Sequence, residues 1–185
     1  MSSAPPRPPA RLETERLVLR RPELADAPAV ALAVAESIEE LRPWMPWAQQ
    51  VPTLAEQEAH LRTASAAFDA GEDYPLYLFD RQTGLYLGGS GLHRFDVSVP
   101  RYETGYWVRT SRVGRGYACE AVAAITEMAF EVLGALRVEI RCSDANVRSW
   151  RVAERLGFQL EGVLRREARD PDGTVRDTRV YAKVR

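Results

Sequence analysis

Two glycines set one residue apart, in Val113-Gly114-Arg115-Gly116-Tyr117-Ala118, separate a strand-like stretch from a long apolar helical face. The stretch runs from Tyr102 to Val108, and the face is made by Ala118, Ala121, Val122, Ile125, Ala129 and Val132. Gly134 ends the face, and Leu136 to Cys142 reads as strand again. Strand, tight turn, helix and strand in that order form a crossover unit. Its two strands must be parallel neighbours in one sheet with the helix packed across a face. Whatever else the chain does has to be compatible with that unit.

The flanking segments supply the rest of the sheet. Arg16 to Arg20 alternates as a short strand. Ala27 to Glu36 predicts a first helix, with Pro28 tolerated in its opening turn, and Arg42-Pro-Trp-Met-Pro-Trp47 breaks it. Thr53 with Glu56 forms a capping-box pattern ahead of a second helix, Leu54 to Ala70, which Gly71 stops. Tyr74 to Asp80 and Leu85 to Arg94 flank a turn and predict a hairpin. After Cys142 comes a helix from Asn146 to Leu156, ended by Gly157, and then two strands around Asp170-Pro-Asp-Gly173. The expected order is βααβββαβαββ. Hairpins on both sides of the crossover predict an α/β (α+β) fold with a mixed, mostly antiparallel central sheet of about seven strands, flanked by about four helices.

A chain of 185 residues fits one domain, expected over 11–185, after a flexible proline-rich tail from Met1 to Ala10. Its 25 basic and 26 acidic residues nearly cancel, which argues against a dedicated nucleic-acid binder, so any anion site must be local. Cys119 and Cys142 form neither a disulfide framework nor a metal-type pair. The N-terminus lacks the apolar core of a signal peptide, and no run is apolar enough to span a membrane. A cytoplasmic protein with reduced thiols is expected.

The Gly114-x-Gly116 turn opens a helix, so free N–H groups and the positive dipole end favour an anion there, with Arg112 and Arg115 adding charge. A ligand-free connection would carry the same pattern. A nucleotide-hydrolase loop would need lysine followed by serine or threonine, and Tyr117-Ala118 provides neither. The dinucleotide fingerprint fails as well, since its third glycine would fall at Cys119. A pyrophosphate that is held without being hydrolysed, such as that of coenzyme A, fits better. The Asn146 to Phe158 run opens a second helix just after the neighbouring strand, with Asn146 and Ser149 on one helix face. Read alone, that pair is an asparagine N-cap with a serine in the first turn.

In order along the chain, Glu13-Thr-Glu-Arg-Leu-Val-Leu-Arg20, Trp44-Met-Pro-Trp47, Tyr102-Glu-Thr-Gly-Tyr-Trp107, Gly114-Arg-Gly-Tyr-Ala-Cys-Glu-Ala121 and Asn146 to Phe158 resemble the GNAT (Gcn5-related N-acetyltransferase) superfamily. Within it they are most similar to the branch typified by the ribosomal-protein N-acetyltransferases RimJ and RimL. The resemblance implies acetyl-coenzyme A as cosubstrate, no metal, and an amine acceptor that is a peptide or protein N-terminus or a small molecule. A homodimer is left open. It also implies that the backbone of Val113, Gly114, Arg115, Gly116, Tyr117 and Ala118 holds the pyrophosphate, although the family usually has glutamine or arginine in place of Val113. The pantetheine arm would lie between strands ending near Val108 and Cys142, hydrogen-bonded by Asn146, with Ser149 approaching the sulfur.

Many relatives carry a tyrosine acid where this chain has Ala153, and Ser149 matches the serine that the RimL-like branch uses in its stead. Glu103 matches a glutamate placed near the acceptor, where it could take the ammonium proton directly or through water. Its ordinary alternative is a solvated strand carboxylate or an arginine partner. His93 is the second candidate base, and Cys119, without a histidine partner, reads as packing. Trp44, Met45 and Trp47 would shape the acceptor groove or fill core. A non-catalytic acyl-coenzyme A sensor or interaction domain is the competing reading. The joint presence of Asn146, Ser149 and Glu103 favours an enzyme.

Overall fold

The computed structural model describes residues 6–96 and 98–185. Among them the elements run β1 (Arg11–Glu13), β2 (Leu17–Arg20), α1 (Ala27–Leu41), α2 (Leu54–Ala70), β3 (Tyr74–Asp80), β4 (Tyr86–Asp96), β5 (Arg101–Val108), α3 (Tyr117–Glu131), β6 (Arg137–Ser143), α4 (Val147–Arg155), β7 (Gln159–Arg169) and β8 (Val175–Val184). This is one strand more than the sequence suggests. The addition, β1, pairs Arg11 with Arg20 and is too short for alternation to betray it. Helix α1 also outruns its expected end, because Ile38 and Leu41 extend its buried face. The proline-rich tail lies outside the described residues as far as residue 5. Of the remainder, Pro8 is buried and Arg7 Nη1 donates to the Asp69 carbonyl at 2.7 Å.

The eight strands form one sheet in the order β1-β2-β3-β4-β5-β6-β8-β7. The β5–β6 pair, joined by the α3 crossover, is parallel and the others are antiparallel. Alternation sends side chains to two cores. Leu17, Leu19, Leu76 and Leu78 pack with Ala121, Val122 and Ile125 of α3 and Val152 of α4. Tyr77 and Tyr86 instead join Val30, Val34 and Ile38 of α1 and Leu61 of α2.

One irregularity positions the site. β5 and β6 pair only at Arg101↔Arg137, Tyr102↔Val138 and Glu103↔Glu139. Beyond that point each strand keeps its other neighbour. Thr104 to Val108 stay registered with β4 as far as Gly88, and Ile140 to Ser143 stay registered with β8 as far as Thr178. The two strands therefore diverge, opening a slot in the sheet. Gly88 holds β4 against β5 on the far side of the slot, where a Cβ would stand 2.1 Å from the Trp107 carbonyl oxygen.

Candidate active site

The glycine turn begins where β5 ends. After Val108, Arg109 N donates to the Leu87 carbonyl at 2.8 Å, and a 3-10 turn over Thr110–Arg112 leads to Val113. Gly114 (φ 76°) and Gly116 (φ 82°) both adopt the left-handed conformation that favours glycine. Gly116 is the N-cap of α3, and no side chain caps that helix, so its first N–H groups remain for a ligand. A Cβ built on Gly114 would meet nothing within 4 Å. The turn is thus exposed and presents its backbone to solvent.

Two braces hold it. From below, Glu120 in the first turn of α3 accepts from Thr14 Oγ1 (2.5 Å), Arg16 N (2.9 Å) and Arg16 Nε (2.6 Å). Burial pushes the Glu120 carboxyl up, but these hydrogen bonds and the Arg16 charge outweigh it and hold the group below the usual carboxylate range. Its negative charge is therefore spent on Arg16 rather than opposing an anion at the turn. Arg16 Nη1 also donates to the Arg115 carbonyl at 2.9 Å. From the side, Glu36 of α1 pairs with Arg109 and accepts from Ser111 N at 2.8 Å. Ser37 Oγ accepts from Thr110 N at 3.0 Å, and Glu40 accepts from Thr110 Oγ1 at 3.1 Å. The Arg109 guanidinium is the main reason that the Glu36 carboxyl falls to about 2. The sequence assigns none of these bracing residues, because each bond joins distant segments.

The slot leads from the glycine turn to the start of α4. Asn146 is the N-cap of that helix, its Oδ1 accepting from Ser149 N at 3.1 Å. The cap uses Oδ1 and leaves Nδ2 as a donor. Tyr106, on the diverging part of β5, donates its hydroxyl to the Ser149 carbonyl at 2.6 Å and stands 3.2 Å from Ser149 Oγ. Burial pushes the Cys142 thiol up, against the pull of the neighbouring Ser149 hydroxyl and the Arg179 charge. Thr104 Oγ1 and Ser143 Oγ, one on each diverging strand, are buried polar atoms without a partner among the described residues.

Glu103, Tyr106, Asn146 and Ser149 line one cavity of about 630 Å³. Trp44 and Met45 of the loop after α1 close one side, and Glu167, Asp170 and Arg176 of the β7–β8 hairpin close another. Glu103 sits opposite Arg94, whose Nη1 is 3.4 Å from each carboxylate oxygen. His93 is turned elsewhere, its Nδ1 lying 2.6 Å from Asp73 Oδ1. Trp47 packs against Trp107 with ring centroids 5.7 Å apart, and Cys119 packs against the α3 core. Among the described residues no helix is long and apolar enough to cross a membrane, and no cluster of His, Cys, Asp or Glu is arranged to hold a metal ion.

An exposed, uncapped helix start beside a slot between diverging parallel strands could take a long anionic thioester. Residues 16–159 match the acetyltransferase (GNAT) domain model. The chain belongs to this family. It is an acetyl-coenzyme A-dependent N-acetyltransferase. Among solved structures, a GCN5-related N-acetyltransferase from Brucella melitensis is 27% identical with a TM-score of 0.82, over 98% of this chain and 82% of that one. The microcin C7 self-immunity acetyltransferase MccE, solved with acetyl-CoA and AMP, is 22% identical with a TM-score of 0.86, over 93% and 94%. RimL, the ribosomal L7/L12 alpha-N-protein acetyltransferase, solved with coenzyme A, is 22% identical with a TM-score of 0.83, over 95% and 96%.

The residues of this acetyltransferase fit the cosubstrate. Left-handed glycines leave the turn open, the N–H groups of α3 are uncapped, and two orphaned hydroxyls flank the slot. Nothing local in the sequence marks Tyr106. It lies inside the Tyr102-to-Trp107 run, yet its partner is 43 residues away.

Proposed function

We propose that the protein transfers acetyl directly to an N-terminal α-amine of a peptide or protein, in the manner of the RimJ/RimL branch. The observation that carries this reading is the convergence of the slot, Ser149 and Glu103 on one cavity. The backbone from Val113 to Ala118 would hold the pyrophosphate, and Val108 and Asn146 the pantetheine arm. When bound, acetyl-coenzyme A supplies a thioester carbonyl open to an amine. Glu103 takes the ammonium proton, directly or through water, because only the neutral amine has a lone pair to offer. Ser149 Oγ–H donates to the sulfur as negative charge gathers there.

The acceptor class follows from amine chemistry. An α-amine, with a pKa of about 8, is partly neutral near pH 7, whereas a lysine amine at about 10.4 needs much stronger help. Glu103 lines the cavity with Arg94 3.4 Å away. The similarity to RimL supports the same class. Incubation with acetyl-coenzyme A and three acceptor sets, followed by free thiol release and mass spectrometry, tests it. The sets are peptides with free N-termini, N-terminally blocked lysine peptides, and small amines. Acetylation of the free N-termini is expected. Transfer to lysine or small amines alone would overturn the acceptor class, and so would thiol release with none of the three sets.

A further inference from the structure

A serine hydroxyl turns freely about its Cβ–Oγ bond unless something holds it, and a donor that must point at one atom gains from being held. In this protein Tyr106 touches Ser149 twice, at the main-chain carbonyl (2.6 Å) and near Oγ (3.2 Å). It reaches across from β5 at the level where β5 and β6 no longer pair, so it ties one wall of the slot to the helix that begins beyond the other wall. Resting on the acetyl-transfer reading above, we propose that Tyr106 is a positioning residue that sets the direction of the Ser149 hydroxyl. In the structure the phenol hydrogen lies on the Ser149 carbonyl, and the phenol oxygen can accept from Ser149 Oγ. When Ser149 Oγ–H turns to the sulfur, the phenol hydrogen turns to Oγ, which keeps that oxygen satisfied and strengthens it as a donor. No covalent bond is made or broken at either oxygen, and no proton leaves Tyr106. Burial, the largest influence on this phenol, raises its pKa and keeps it protonated, as a constant donor must be.

The first part of the test needs no acceptor. The thiol of bound coenzyme A can be titrated by the ultraviolet absorbance of its thiolate in wild type, Tyr106→Phe, Ser149→Ala and the double variant, with occupancy checked by calorimetry. The wild type should lower the thiol pKa relative to free coenzyme A, and Ser149→Ala should remove that shift. Tyr106→Phe should remove part of it, and in the Ser149→Ala background should change nothing further. In turnover, Tyr106→Phe should lower kcat roughly threefold to tenfold with the acetyl-coenzyme A KM within about twofold. Equal effects of Tyr106→Phe in both backgrounds, or weaker coenzyme A binding with unchanged thiol ionisation, would show a merely slot-forming residue and overturn the proposal. A wild-type shift that Ser149→Ala removes and Tyr106→Phe leaves intact overturns Tyr106 alone. Absence of any wild-type shift, together with no thiol release to amines, overturns the transfer reading with it.

Discussion

Ser149 and Glu103 do different work in the proposed transfer, and substitution should separate them. Ser149→Ala removes a donor needed mainly as charge builds on sulfur, so kcat should fall roughly tenfold to a hundredfold while acetyl-coenzyme A affinity changes little. Steady-state kinetics beside calorimetry read the two quantities. A raised KM with unchanged kcat would reduce Ser149 to a capping residue. Glu103→Gln keeps shape and hydrogen bonding but not basicity. Its rate should be depressed near neutral pH and recover as alkaline pH supplies neutral amine. A purely electrostatic role would raise the acceptor KM, weaken with added salt, and leave the shape of the pH profile alone. Acceptor kinetics across pH at two salt concentrations decide between them.

At the scale of elements, the turn before α3 depends on backbone that only glycine adopts cheaply. Gly116→Val would place a branched side chain at φ 82° on the N-cap, straining the turn and crowding Arg16, whose Nη2 would lie 3.5 Å from the new Cβ, at the turn proposed to hold the phosphates. Coenzyme A binding by calorimetry should be lost while the circular dichroism spectrum is kept. Much at this scale is legible in sequence, because its signals are local. The Thr53–Glu56 capping box forms reciprocally, with Thr53 N donating to Glu56 at 2.8 Å. Asn146 caps α4, and the glycine turn opens α3. The slot is not legible, since it arises from β5 and β6 each following a different neighbour. The braces from Arg16 and Glu36 escape for the same reason. Glu120 is 104 residues from Arg16, and no periodicity carries information over that span.

For the molecule as a whole, the Glu36–Arg109 pair ties α1 to the turn before α3, and its ionisation should set an acid limit on that tie. The Glu36 carboxyl lies near 2 in the folded chain against an ordinary 4.5, so its stabilising contribution is complete above the ordinary value. It drains away as pH falls from about 4.5 toward about 2. Wild type should therefore lose more stability than Glu36→Gln over that window, measured by denaturant unfolding at stepped pH, and the two should run parallel near neutrality. The same helix has a second attachment. Glu36, Ser37 and Glu40 grip residues 109–111, and only a few residues further on Trp44 and Met45 line the cavity. One short stretch of chain therefore touches the turn proposed to cradle the cosubstrate at one end and lines the cavity proposed to admit the acceptor at the other. In the proposed reading, any coupling between cosubstrate and acceptor that runs through this stretch would have the same factor in both directions, because linkage between two binding free energies is reciprocal.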